Sequence, residues 1–67
     1  MNRDERFFRA ASAYMAHKGY PNLKPQSSRI FRSHVEYIYI LPEGMRLRLS
    51  VLASPEGEWQ FISDILD

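Results

Sequence analysis

Cysteine is absent from this chain, which removes disulfides, thiolate metal sites and cysteine nucleophiles together. Histidine is scarce, and His17 with His34 makes too thin a ligand set for a structural zinc. No metal and no cofactor are therefore expected. The three glycines, Gly19, Gly44 and Gly57, stand far apart, so no glycine-rich loop cradles a phosphate. Long apolar runs are missing as well. The longest, Tyr37 to Leu41, falls far short of the roughly 20 residues that cross a bilayer. The charged stretch from Met1 to Phe8 lacks the apolar centre of a signal peptide, and the expectation is a cytoplasmic protein without membrane partners.

What the chain does hold is the composition of a folding domain: 45% hydrophobic, 13% aromatic and 25% charged residues among 67. A chain of this length builds one domain, here residues 1–67, and has little room for an enclosed active site. Its stability should be about 3–10 kcal/mol at the usual value per residue. Net charge is only +1, but it is unevenly spread. Residues 1–33 carry seven bases against two acids, a balance of +5, and the remainder carries two bases against six acids, a balance of −4. Such a dipolar chain either pairs its halves internally or presents a positive face to a partner.

Asn2 followed by Glu5 has the spacing of a helix cap, with Asp4 and Glu5 in the first turn where the helix dipole favours acids. A helix is predicted over roughly 3–18, ended by Gly19 and blocked by Pro21. Phe7, Phe8, Ala11, Tyr14 and Met15 fall on one apolar stripe, and Arg3, Arg6 and Arg9 with His17 fall on the side expected to face water. Residues 20–28 are rich in turn formers. From Arg29 to Leu41 β-branched and aromatic residues predict one extended strand, bulged near Ser33.

Pro42-Glu43-Gly44 predicts a hairpin turn into a second strand, Met45 to Ala53, whose apolar residues alternate with Arg46, Arg48 and Ser50. Pro55-Glu56-Gly57 repeats the turn, and Trp59 and Phe61, alternating with Glu58 and Gln60, predict a third strand ending near Ser63. The competing reading is a short C-terminal helix capped by Ser54 and Pro55, with Trp59, Ile62, Ile65 and Leu66 on one face. The expected fold is α+β: an N-terminal amphipathic helix on a three-stranded antiparallel meander, or an α-β-β-α arrangement if the last segment is helical.

Catalytic chemistry finds little to stand on. Glu36, Glu43, Glu56 and Glu58 sit at turns and strand ends, where paired general acid and base work has no cleft. His34, beside Arg32 and Ser33, is the one candidate general base. The order helix, Gly19-Tyr20, Ser33-His34 resembles small toxin ribonucleases with a double-stranded-RNA-binding-like fold, and the resemblance implies RNA cleavage through His34. It is incomplete: where that family has a glycine before the serine and a basic or second histidine neighbour, this chain has Arg32 and Val35, and the gap from helix to motif is longer.

Binding is the reading the residues favour. Tyr37 and Tyr39 share one face of the first strand, and Arg46 and Arg48 share one face of the second. If these faces coincide, the outer sheet is a tyrosine and arginine platform, extended by Arg32 and His34, suited to a protein partner or a second copy of the chain. A homodimer or a small non-catalytic regulatory protein, an inhibitor or adaptor, is the leading expectation. An RNA- or DNA-binding module is the alternative, with Arg46 and Arg48 joined by Arg3, Arg6 and Arg9 on the helix.

Overall fold

The computed structural model describes residues 2–66. It contains one helix, α1 (Arg3–His17), and four strands, β1 (Ser27–Ile30), β2 (His34–Ile40), β3 (Arg46–Ala53) and β4 (Trp59–Ile65). The strands form one antiparallel sheet in the order β1-β2-β3-β4, so the class is α+β with four strands in place of three. Among the described residues no helix is long and apolar enough to cross a membrane.

The helix begins where its cap predicts: the Glu5 N–H donates to Asn2 Oδ1 at 2.9 Å, satisfying one of the amides that lack an intrahelical acceptor. Phe7, Ala10, Ala11 and Met15 are the buried residues of α1. Phe8, expected on the apolar stripe, lies at its margin and is exposed, and Ala10, outside that stripe, is buried. The apolar stripe is therefore rotated by part of a turn toward β4.

Both Pro-Glu-Gly segments close three-residue hairpin loops. The Gly44 N–H donates to Leu41 O and the Leu41 N–H to Met45 O, each at 2.8 Å, and Gly57 and Ser54 repeat the pattern with Ser54 O and Glu58 O at 2.9 and 2.8 Å. Gly44 and Gly57 have φ of +96° and +87°, a region that L side chains rarely enter. The last segment is a strand rather than a helix, because this second hairpin returns the chain onto β3 from Ala53↔Trp59 to Leu47↔Ile65.

One element differs from expectation. The stretch 29–41 is not a single bulged strand. It folds back at Arg32 and Ser33, where the Phe31 N–H donates to His34 O at 2.8 Å, and β1 pairs with β2 from Ser27↔Ile38 to Ile30↔Val35. The turn uses neither Gly nor Pro, and Ser33 is its one turn-favouring residue, a signal that a bulge shares. It is fastened from outside, because Arg3 Nη2 donates to the carbonyls of Phe31 and Arg32 at 3.1 and 3.2 Å.

The core lies between α1 and one face of the sheet, built from Val35, Tyr37 and Tyr39 of β2 and Leu49 and Val51 of β3 under Phe7, Ala11 and Met15. Val51 and its alternate neighbours do turn inward against the helix. Leu49→Ala removes a fully buried side chain, and such a truncation costs about 2–5 kcal/mol, a large share of what so short a chain has. The expected outcome is a urea midpoint lowered by half or more, or loss of the cooperative transition; a shift below about 1 kcal/mol would mean that this layer is not the core.

Candidate functional site

The register decides which residues are available. β2 pairs with β3 from His34↔Leu52 to Ile40↔Arg46, with Tyr37 opposite Leu49 and Tyr39 opposite Leu47. Residues directly opposite point to the same face. Tyr37 and Tyr39 therefore share the helix-covered face with Leu49 and Leu47, at 4% and 0% exposure, and Arg46 and Arg48 lie on the other face. The expected tyrosine and arginine platform is corrected on this point: the two pairs sit on opposite sides of the sheet. The three-residue loop explains it. Leu41 faces Met45 across the turn, so odd residues of β2 meet odd residues of β3, and the inward alternation of Leu47, Leu49 and Val51 carries the tyrosines with it.

Burial changes the tyrosines chemically. Desolvation raises the pKa of Tyr37, aided by Asp4 and opposed by Arg3, and pushes Tyr39 up to about 12, with Tyr37 a further cause. The Tyr39 hydroxyl is buried without a hydrogen-bond partner. The Tyr39 hydroxyl is closed off from any ligand, whereas Tyr37 borders a hollow beside β1.

The outer face carries Ile38, Ile40, Leu52 and Ile62 among charged residues. Arg48 and Asp64 are cross-strand neighbours and pair bidentately, Nη2 to Oδ2 at 2.7 Å and Nε to Oδ1 at 3.2 Å. The ion pair raises the Arg48 pKa, the hydrogen bond to Asp64 being the first cause. His34 is also on this face, half-buried, its ring stacked on Phe31 at 4.5 Å and 8° between planes. Arg29 covers the same Phe31 ring at 5.3 Å. The expected site residues are thus dispersed: Tyr37 and Tyr39 in the core, Arg46 and Arg48 on the open face, and Arg32 and His34 at the β1–β2 turn.

A different cluster is assembled beside α1. Helical geometry sends Arg6, Arg9, Ala13 and His17 to the flank that faces β4, and there, with Tyr14, Trp59 and Phe61, they line an open cleft of about 580 Å³. Its floor is aromatic. Phe61 stacks on Tyr14 at 4.7 Å, and Trp59 meets Phe7 edge-on at 5.0 Å, leaving both rings only partly buried. Toward the helix start a second hollow continues the cleft, lined by Arg3, Arg6, Arg32 and Trp59 among others. The Arg3 guanidinium there also lies over the Phe7 ring at 4.7 Å. At the far end Lys18 lies over Tyr14 at 5.4 Å, and the Tyr14 hydroxyl shares a hydrogen bond with Ser63 Oγ at 3.1 Å.

The other flank of α1 is of mixed charge. Asp4, Glu5 and Arg9 join Phe8, Ser28, Ile30 and Tyr37 around a hollow of about 420 Å³ over β1. Arg9 borders both hollows, so the helix separates a basic, aromatic cleft from one in which two acids meet one arginine. Among the described residues no three His, Asp or Glu side chains converge to hold a metal.

Arg6 and Arg9 in the basic cleft were legible in the sequence as a basic helix face. Trp59 and Phe61 were legible as strand residues without an assigned site role; that they lie on the outermost strand, at the margin of the helix, is what leaves them partly exposed. The chain matches no protein-family model, and no curated protein or solved structure is detectably similar to it.

A phenol whose folded pKa is raised keeps its proton after the unfolded chain has ionised. Between about pH 10 and 12 the folded state therefore binds more protons at Tyr39, and the stability this burial supports is intact below pH 10 and lost across that window. Urea unfolding at pH 9 and pH 11 should show that decline, and Tyr39→Phe should reduce it. Because an unpaired buried hydroxyl costs about 1–3 kcal/mol, Tyr39→Phe should be as stable as the parent at pH 7, or more so; a loss above about 1 kcal/mol would reveal a partner for the hydroxyl.

Proposed function

We propose that this chain is a small non-catalytic binding protein, and that its contact surface is the cleft between α1 and β4 rather than the outer sheet face. The observation that supports it most directly is the aromatic floor of Tyr14, Trp59 and Phe61 rimmed on one side by Arg6, Arg9 and His17. Aromatic rings and arginine are the residues that dominate binding energy at protein interfaces. A floor of rings without a polar wall would be an extension of the core; the arginines select what lies on it. The complementary occupant is a protein segment with apolar side chains for the floor and acids for the rim. A regulatory or adaptor role accords with this chemistry, since recognition requires no reacting group in the cleft.

A second reading, nucleic-acid binding, draws on one specific observation: Arg3, Arg6 and Arg32 gather around Trp59, which places phosphate-binding charge beside a ring on which a base could stack. Salt separates the two. Phosphate contacts release counterions, so binding falls steeply between low and physiological salt, whereas a floor of buried apolar contacts is far less sensitive.

A fluorescein-labelled peptide of about eight residues alternating Glu with Val, and a labelled oligouridine of similar length, test these readings by anisotropy. The peptide should bind in the micromolar range and lose about tenfold or more in affinity on Arg6→Glu with Arg9→Glu, a change of about 1.4 kcal/mol or more. Both side chains are exposed, so the fold should tolerate the exchange. Tight, salt-dependent binding of oligouridine with none of the peptide would establish the second reading in place of the first.

A further inference from the structure

We infer that β4 is the pairing edge of a two-fold homodimer, formed by antiparallel alignment of β4 with β4 of a second copy about an axis through Ile62. The inference rests on the cleft reading above for its consequence, though not for its geometry.

The sheet has two edges, and they differ. β1 is four residues long, follows Pro25, and carries Arg29 on its outward side, features that discourage further pairing. β4 has seven residues with neither proline nor lysine. It also carries Ile62, the most exposed large hydrophobic residue described, at 61%, with Ile65 at 49%. β1 also exposes an apolar residue, Ile30 at 58%, but at the end of a four-residue strand; longer and without proline, β4 is the edge that recruits another strand.

Its hydrogen-bonding pattern restricts how. Ser54 N–H donates to Glu58 O and Leu66 N–H donates to Arg46 O, so even-numbered residues of β4 bond to β3 and the N–H and C=O groups of Trp59, Phe61, Ser63 and Ile65 point outward. In a two-fold antiparallel pair, outward-bonding residues must meet outward-bonding residues. The axis therefore passes through a residue rather than between two.

Three such axes lie near the strand's middle, and side-chain chemistry separates them. An axis at Phe61 sets Glu58 against Asp64 of the second copy, like against like. One at Ser63 sets Ile62 against Asp64. The axis at Ile62, the midpoint of β4, sets Ile62 against itself, Gln60 against Asp64, and Trp59 against Ile65, covering the exposed apolar groups and opposing no like charges. A closed two-fold contact is also the commonest way for identical chains to associate.

Pairing here completes the cleft. The axis runs perpendicular to the sheet, so both helices stand on the same side of a continuous sheet. α1 contacts β3 more than any other strand, and at about 4.8 Å per strand the two helices stand on the order of 15 Å apart. Between them runs a trough floored by Trp59 and Phe61 of both copies, with an arginine flank on each wall. That distance is between helix axes, and helices about 10–12 Å across leave their facing arginine flanks closer than the screening length at physiological salt, about 8 Å, so the flanks repel each other and acidic side chains laid along the trough relieve that repulsion.

The chain has no cysteine, and Ile62→Cys therefore introduces a single thiol. Across the proposed axis its Cα atoms would be about 4.5 Å apart, within the range a disulfide spans. Mild oxidation at micromolar concentration should convert most of Ile62→Cys to a covalent dimer, at least tenfold faster than Gln60→Cys, whose two copies would stand about 13 Å apart along the strands. Sedimentation of the parent chain should give a dimer, and Ile62→Lys a monomer with an unchanged circular dichroism spectrum. Equal cross-linking rates for the two cysteine variants, a parent chain that sediments as a monomer, or a ladder of larger species would each overturn the pairing. A monomeric parent that still binds the Glu-Val peptide would overturn the dimer alone. A dimer that binds no peptide would uphold the pairing and overturn the cleft reading instead.

Discussion

One helix cannot cover four strands, and most of the molecule's surface chemistry follows from that mismatch. An α-helix with its side chains is about 10–12 Å across, whereas four strands at about 4.8 Å span roughly 14 Å between their outer axes and more at their side chains. The buried layer is accordingly narrow: Val35, Tyr37 and Tyr39 of β2 and Leu49 and Val51 of β3 lie under Phe7, Ala11 and Met15. Residues of the outer strands that point to the same side, Ile30 on β1 and Trp59 and Phe61 on β4, meet the helix only at its margins. A hollow on each side of α1 is the direct result.

The helix then gives those hollows different chemistry. Its acids, Asp4 and Glu5, serve the amino-terminal dipole and fall on the β1 side, Arg6 falls on the β4 side, and Arg9 borders both. Charge that looks merely dipolar along the chain is thereby partly sorted across the width of the sheet. Part of it is consumed in holding the fold: Arg3 secures the turn at Phe31 and Arg32, and Arg48 is joined to Asp64. Arg6 and Arg9 are left lining the cleft that the aromatic rings of β4 floor.

Much of the fold could be read in advance because it rests on local signals. Asn2 and Glu5 mark the helix start, the spacing of Phe7, Ala11 and Met15 marks its buried side, and two Pro-Glu-Gly segments mark two hairpins. The alternation in β3 marks its inner face. The turn at Arg32 and Ser33 escaped because nothing in its composition distinguishes it from a bulge; its closure depends on Arg3, about thirty residues away in the chain. The face of Tyr37 and Tyr39, conditional when β2 is read alone, has a signal in the turn that follows it. A three-residue loop with Leu41 opposite Met45 ties the parity of β2 to that of β3, and β3's inner face was already legible. In β2 itself both sets are apolar, Tyr37 and Tyr39 on one side and Ile38 and Ile40 on the other, so its own pattern does not choose.

The amino-acid order by itself determined the helix with its cap and basic face, the first glycine-dependent hairpin and the inner face of β3, since each depends on residues within a few positions of one another. Tertiary structure alone decided which aromatics are core and which are surface. Tyr39 and Trp59 are both aromatic residues alternating along strands, yet Tyr39 lies on a central strand under the helix and Trp59 on an edge strand beyond it. That distinction is set by strand order across the sheet and by the finite width of one helix, quantities that no local stretch of sequence contains.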